Sequence, residues 1–241
     1  MSEPNPPLTT RVRVWDLPVR IVHWLLVLGV IALWYTAEVW DSIDNLDWHM
    51  DIGFAMIGLL VFRILWGFFG SDTARFRQFV KGPDQIRAYL KEPGKSVFLG
   101  HNPLGALSVL AMLLSLLIQV ITGLFAHDEL YTSAPLSQYV SSKTSGLLTE
   151  IHHLNFNILL ALIGLHLAAI AFYQFRKHDP LVQAMITGKK RLQADQHIRN
   201  PNPRFAGWIP FIIIALIAVG TAYVFATQIP TIAHLLAPGR G

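Results

Sequence analysis

The sequence predicts an all-α membrane protein: a four-helix transmembrane bundle plus a fifth, C-terminal transmembrane helix. Three observations predict it. Of 241 residues, 53% are apolar and only 14% charged, against about 25% charged in a soluble domain. The mean hydropathy is +0.44. Five segments reach the roughly 20 apolar residues that a helix needs to cross the hydrocarbon core.

The five spans are residues 18–35, 49–69, 103–125, 150–175 and 207–226, each bounded by turn or charged residues. The first is no cleaved signal peptide: its apolar run is long, and Trp34-Tyr35-Thr36-Ala37-Glu38 at its far end holds no clear small-residue cleavage site. Trp34, Trp40, Trp48 and Trp208 fall near the predicted interfaces as an aromatic belt. Residues 90–100 and 189–203 read as polar connections, with a short amphipathic piece at 181–186 on the membrane surface. Residues 1–195 form the main transmembrane domain and 196–241 a C-terminal segment carrying the fifth span.

Basic residues set the orientation. Arg11, Arg13 and Arg20 precede or open the first span. Arg75, Arg77, Lys81, Arg87, Lys91 and Lys95 lie between the second and third. Arg176, Lys177, Lys189, Lys190, Arg191, Arg199 and Arg204 follow the fourth. These hold 16 of the 19 Lys and Arg, Arg63 lies inside the second span, and the opposite side has only Lys143 and Arg240. The positive-inside rule therefore puts the N-terminus in the cytoplasm and the C-terminus outside. The external loop 37–48 is acidic, with Glu38, Asp41, Asp44 and Asp47. The net charge of +4 needs no nucleic acid to explain it. The absence of cysteine excludes disulfides, thiolate zinc sites, iron–sulfur clusters and covalently attached c-type haem.

Ionisable groups in lipid mark function. Among ten histidines, His23, His49, His152, His153 and His166 lie in or at the edge of spans, and His101 just before the third. Any single one reads equally well as a neutral imidazole bonded to a neighbouring helix; several together do not. His152 and His166 are 14 residues apart, so they point within about 40° of each other and sit about 21 Å apart along the helix axis. His153 lies roughly 140° from His166 around the helix, which favours an interfacial role for it. Depth then pairs His23 with His166 on the cytoplasmic side and His49 with His152 on the external side. Two neutral imidazoles per level suit a bis-histidine haem b. Zinc or copper would want three or four ligands at one point. Gly53, Ala55, Gly58, Ala161 and Gly164 would let a porphyrin approach, or are ordinary helix-packing residues.

The stretch Val14-Trp15-Asp16-Leu17-Pro18-Val19-Arg20-Ile21-Val22-His23-Trp24 resembles the opening of the bacterial cytochrome b561 family, which includes the b-type cytochrome subunit of membrane-bound nickel–iron hydrogenases. Further matches follow in order: His49 with Gly53, Arg63-Ile64-Leu65-Trp66-Gly67-Phe68 with Ala74-Arg75-Phe76, Gly100-His101-Asn102-Pro103-Leu104-Gly105, His152 with Asn157 and His166, and Ala184-Met185-Ile186-Thr187-Gly188-Lys189-Lys190-Arg191. The resemblance spans about residues 11–195. It implies two haem b groups, with His23, His49, His152 and His166 at the ligand positions, in a multi-pass protein of the bacterial inner membrane. His153 departs from it, since many relatives carry an acidic residue there. The fifth span leans towards a subunit bound to a partner.

The expected function is electron transfer across the membrane, as a subunit of an oxidoreductase complex, between a periplasmic redox protein (a hydrogenase small subunit or a cytochrome c) and the quinone pool, with the quinone near the cytoplasmic haem. Arg20 and Arg63 are candidate partners for haem propionates, or basic anchors that snorkel. His101 either exchanges a quinone proton or caps the third span. His127, Asp128 and Glu129 read as a solvated loop rather than a docking patch. Two other classes stay open. A superoxide:quinone oxidoreductase would want a cationic funnel outside, where the surface is acidic. A haem-free membrane anchor would leave the histidines replaceable.

Overall fold

The computed structural model describes residues 9–40, 45–91, 97–127, 133–193, 198–199 and 202–228. Asp41, Asp44, Lys95, Asp128, Glu129 and Arg240, cited above for loop charge, lie outside them. Strand β1 (Thr9–Arg13) leads into α1 (Leu17–Glu38) and α2 (Asn45–Phe69). Two short helices, α3 (Phe76–Phe79) and α4 (Pro83–Lys91), and strand β2 (Val97–Phe98) precede α5 (Pro103–Gly123) and α6 (Ser142–Arg176). Helix α7 (Leu181–Thr187), strands β3 (Lys189–Gln193) and β4 (Ile198–Arg199), and α8 (Trp208–Tyr223) complete the order, with a π-helical turn, Val224–Gln228, ending α8.

Five of these helices are long and apolar enough to cross a bilayer, as expected. Helix α6 is the largest departure in length. It starts at Ser142 rather than Glu150, because Ser141 caps it: the Ser141 hydroxyl accepts the Thr144 amide at 3.2 Å. Those added turns are polar and escape a hydropathy reading. At 35 residues and 1.5 Å per residue α6 is about 52 Å long, more than the hydrocarbon core requires. Helix α2 likewise begins four residues before His49, which places that imidazole one turn inside the helix.

The chain divides into two compact units. One comprises Val22–Leu65, Leu110–Gly164 and Ile212–Gly241. Its core is Met56, Leu60, Leu116 and Leu159, with Leu26, Val30, Leu33, Ile52, Leu59, Leu113, Val120 and Ile163 packed around them. Each of α1, α2, α5 and α6 thus contributes an apolar stripe to one seam. Half of the α2 span is buried, against 11% or less of each of the others, so α2 is the most enclosed of the five and the rest carry mostly exposed apolar side chains. Helix α8 reaches α2 at Gly58, where an added Cβ would sit 2.8 Å from the Ala218 carbonyl and 3.0 Å from the Ala222 Cβ. Small residues permit this backbone approach, the usual device where both helices are bathed in lipid. Tyr35, Trp40 and Trp48 form a ladder of rings at 6.4 and 6.5 Å, part of the expected belt.

The other unit comprises Met1–Ile21, Trp66–Val109 and Leu165–Phe211. Asp16, only 2% exposed, caps α1 by accepting the Val19 amide at 2.9 Å, and its second oxygen accepts the Trp66 indole N–H at 3.0 Å. Both carboxylate oxygens are thereby met, as a buried anion requires. The segments 90–100 and 189–203, read as polar connections, contain structure. Part of the first belongs to α4, and β3 pairs antiparallel with β1 while β4 pairs parallel with β2. Neither strand pair carries an apolar alternation long enough to announce itself. The amphipathic piece at 181–186 is α7. It ends at Gly188, whose φ of 77° is the left-handed cap conformation, and whose carbonyl accepts the Val14 amide at 2.8 Å.

Asn102, not His101, caps α5: its side-chain oxygen accepts the Gly105 amide at 2.8 Å. The Asn102 amide also donates to the Tyr173 hydroxyl at 2.9 Å, which lies 2.7 Å from the Tyr89 hydroxyl. Burial, and then the bond to Tyr173, push the Tyr89 phenol above its ordinary range. The His101 ring sits 4.9 Å from that of Trp15 and 4.8 Å from that of Phe79. Lys190, 5% exposed, bonds Asp179 at 2.7 Å.

Gly188→Ala tests the cap. A Cβ there would meet the Trp15 carbonyl at 2.7 Å, on a backbone that L side chains rarely adopt. The variant is expected to lose about 1–3 kcal/mol, read as a lower melting temperature in detergent; unchanged melting would remove the cap from the account.

Candidate functional site

Two of the expected residues come together within one unit. The rings of His49 on α2 and His152 on α6 have centroids 6.4 Å apart and planes 70° apart. Each ring is fixed by a different neighbouring helix, in the same way. His49 Nδ1 lies 3.1 Å from the Leu33 carbonyl of α1 and 3.1 Å from the Thr36 hydroxyl. His152 Nδ1 lies 3.0 Å from the Gln119 carbonyl of α5 and 3.2 Å from the Thr122 hydroxyl. In both cases the threonine stands three residues after the carbonyl. Thr36 and Thr122 are themselves anchored, each hydroxyl donating to carbonyls of its own helix, Ala32 and Ile118 among them, at 3.0 and 2.7 Å.

A carbonyl oxygen only accepts, so Nδ1 of each imidazole carries the proton and Nε2 carries the lone pair. That is the tautomer of a metal-ligating histidine whose other nitrogen is held by a backbone carbonyl. Two imidazoles bonded end-on to one metal from opposite sides, with bonds of about 2.0 Å, have ring centres roughly 6 Å apart. The ring spacing of the His49–His152 pair is compatible with that distance, so these two residues could hold a haem between them. Among the described residues no group of three or more His, Cys, Asp or Glu converges, so the pair is not part of a larger ligand cluster.

Gly123, at the end of α5, permits the approach of His152: a Cβ there would lie 3.0 Å from the His152 Cε1. Sequence reasoning missed it, and also missed Asn155. Asn155 is 5% exposed and ties α6 to α5, its amide donating to the Ser115 carbonyl at 2.9 Å and the Gln119 side-chain oxygen at 2.6 Å, its oxygen accepting from the Ser115 hydroxyl at 3.1 Å. A polar residue in the middle of an apolar span, three residues after His152, was the available signal.

The remaining candidates divide. His153 is exposed, as its position around α6 predicts. His23 is half-buried on α1, its ring edge-on to Trp24 at 5.2 Å; it belongs to the same unit as His49. His166 belongs to the other unit and is half-buried. Arg63 is 8% exposed in the unit that holds His23. Arg20 has a partner that the sequence did not suggest. Its guanidinium donates to the Met185 carbonyl at 3.3 Å and to the Ile186 carbonyl, satisfying the C-terminal end of α7.

The model of prokaryotic cytochrome b561 matches residues 14–188. The chain belongs to the prokaryotic cytochrome b561 family. Among similar proteins are three named as probable Ni/Fe-hydrogenase B-type cytochrome subunits. That of Bradyrhizobium diazoefficiens is 23% identical over 76% of this chain and 87% of its own length. That of Rhizobium leguminosarum bv. viciae is 20% identical over 74% and 88%, and that of Azotobacter chroococcum mcd 1 is 21% identical over 78% and 91%. No solved structure matches. This cytochrome b561 is thus a multi-pass bacterial membrane protein of electron transfer, and its cofactor is haem b.

Gly123→Val should push the His152 ring from its place and lower the haem b bound per chain, measured by the pyridine haemochrome assay. Unchanged haem content would mean that the ring does not need that space. Asn155→Leu should lower stability by about 1–3 kcal/mol, because the Ser115 and Gln119 groups lose their partner while buried. A melting temperature equal to that of the parent would contradict this.

Proposed function

We propose that the chain is a di-haem cytochrome carrying electrons across the bacterial inner membrane between a periplasmic redox partner and the quinone pool. In this reading His49 and His152 would hold one haem, and His23 and His166 the second. The observation that carries it is the His49–His152 pair, two rings at ligand spacing with both Nδ1 protons committed to carbonyls. For the second level the support is in the sequence: His23 near the start of the first span, and the 14-residue spacing from His152 to His166.

When bound, haem b would supply a reversible one-electron couple. The chain does the rest. Leu33 and Gln119 hold the imidazoles in the ligating tautomer, Thr36 and Thr122 restrict their rotation, and the apolar seam beneath them keeps water away from the site. Arg63 is the buried cation for a propionate. The guanidinium of Arg20, turned towards the α7 carbonyls, fits that role less well. The charge distribution supports an N-terminus in the cytoplasm and a C-terminus in the periplasm, so His49 and His152 form the periplasmic level. The similarity to proteins named as hydrogenase cytochrome subunits supports a hydrogenase as the partner there, ahead of a cytochrome c.

Haem stoichiometry and reduced-minus-oxidised spectra of the purified protein test this. The parent should bind two haems per chain. His152→Ala should lose one of them, and His153→Ala should keep both. A parent with a single haem, or a His153 variant that loses one while the His152 variant does not, would overturn the assignment. His166→Ala should remove or shift the other centre alone; both centres retained at unchanged potential would break the second pair.

A further inference from the structure

The β1–β3 ribbon pairs cations with cations. Its register sets Arg11 opposite Arg191 and Arg13 opposite Lys189, with Val12 opposite Lys190 between them. Side chains alternate along a strand, so Arg11, Arg13, Lys189 and Arg191 share one face. Exposure follows that alternation: all four are exposed, while Lys190, on the other face, is buried against Asp179. Like charges directly opposite each other work against strand pairing, and here they meet twice in succession. Among the described residues no carboxylate lies within ion-pair distance of these four. The Arg13 guanidinium lies over the Phe205 ring at 4.2 Å, which orients it without neutralising it.

The surroundings say what could neutralise the face. Arg13 precedes Leu17, the first residue of α1, by four positions, so it lies within about 14 Å of the start of that span. Lys189 follows α7 by two residues. Val182 and Ile186 on α7, and Leu17 and Ile21 on α1, are 41–54% exposed. A cationic face fringed by exposed apolar side chains at a span end suits a lipid headgroup with its acyl chains, where a soluble acidic protein would meet apolar residues it has no use for. Same-face residues are about 7 Å apart along a strand, a separation that two phosphates joined through a glycerol can bridge.

We propose that the Arg11/Arg191 and Arg13/Lys189 pairs form a binding site for a two-phosphate anionic phospholipid of the cardiolipin type, one phosphate over each pair. The bound lipid cancels the cross-strand repulsion and so locks the N-terminal arm onto the segment after α7. The inference rests on the membrane location and the strand register, and not on the haem assignment.

The test uses the full chain in nanodiscs of phosphatidylcholine, doped with cardiolipin or with twice the molar fraction of phosphatidylglycerol to match the charge. Cardiolipin should raise the melting temperature by several degrees more than phosphatidylglycerol does. The double variant Arg11→Gln, Arg191→Gln should lose that increment, and in neutral lipid should melt no lower than the parent because a repulsion has been removed. Equal effects of the two lipids, an increment kept in the double variant, or the same shift from inorganic pyrophosphate in detergent would overturn the proposal. Should the double variant fail to fold, Lys189→Gln alone should retain about fivefold less cardiolipin in native mass spectra, the weight of one cation at an anionic surface. Unchanged retention would also overturn it.

Discussion

A hydrogen bond from an imidazole to a backbone carbonyl decides which nitrogen is left to act, and much of this molecule depends on that bond being made twice. His49 and His152 stand on helices that are not neighbours in sequence, yet each turns its Nδ1 to a carbonyl on a third or fourth helix, Leu33 on α1 and Gln119 on α5. Four helices are therefore needed to hold two rings 6.4 Å apart. The arrangement commits both Nδ1 protons to carbonyls and leaves both lone pairs on Nε2.

The supporting structure is apolar where it packs and polar only where a group has a partner. Met56, Leu60, Leu116 and Leu159 form the seam, and Asn155, a buried amide on α6, has its donors and acceptor satisfied by Ser115 and Gln119. Gln119 serves twice: its backbone oxygen fixes His152 and its side chain holds Asn155. The ligand candidate and the α5–α6 contact are consequently set by the same residue, and a disturbance of either reaches the other.

The five spans were legible because twenty apolar residues in a row have few other readings, and the meeting of His49 with His152 because imidazoles are out of place among them. Helical arithmetic was enough to separate His152 from His153, since one residue is 100° of rotation. The hydrogen bonds that fix the rings were not legible: a threonine three residues after a carbonyl is common in any helix, and its meaning depends on what the next helix brings to it. Gly123 was hidden for the same reason. The bond from Arg20 to α7 was not legible because Met185, whose carbonyl it meets, lies 165 positions away in the chain. The strands were missed because Thr9–Arg13 and Lys189–Gln193 are short and polar, and what defines them is each other.

That last pairing has a consequence for biogenesis. Residues 9–13 are synthesised well before their partner strand, which follows the fourth span in the chain. Throughout that interval the N-terminal arm has no strand to join, and the buried cap of α1 also waits, since the indole that completes it belongs to Trp66. Closure of this end of the molecule therefore depends on contacts of high sequence separation, and the arm acts as a clasp across them.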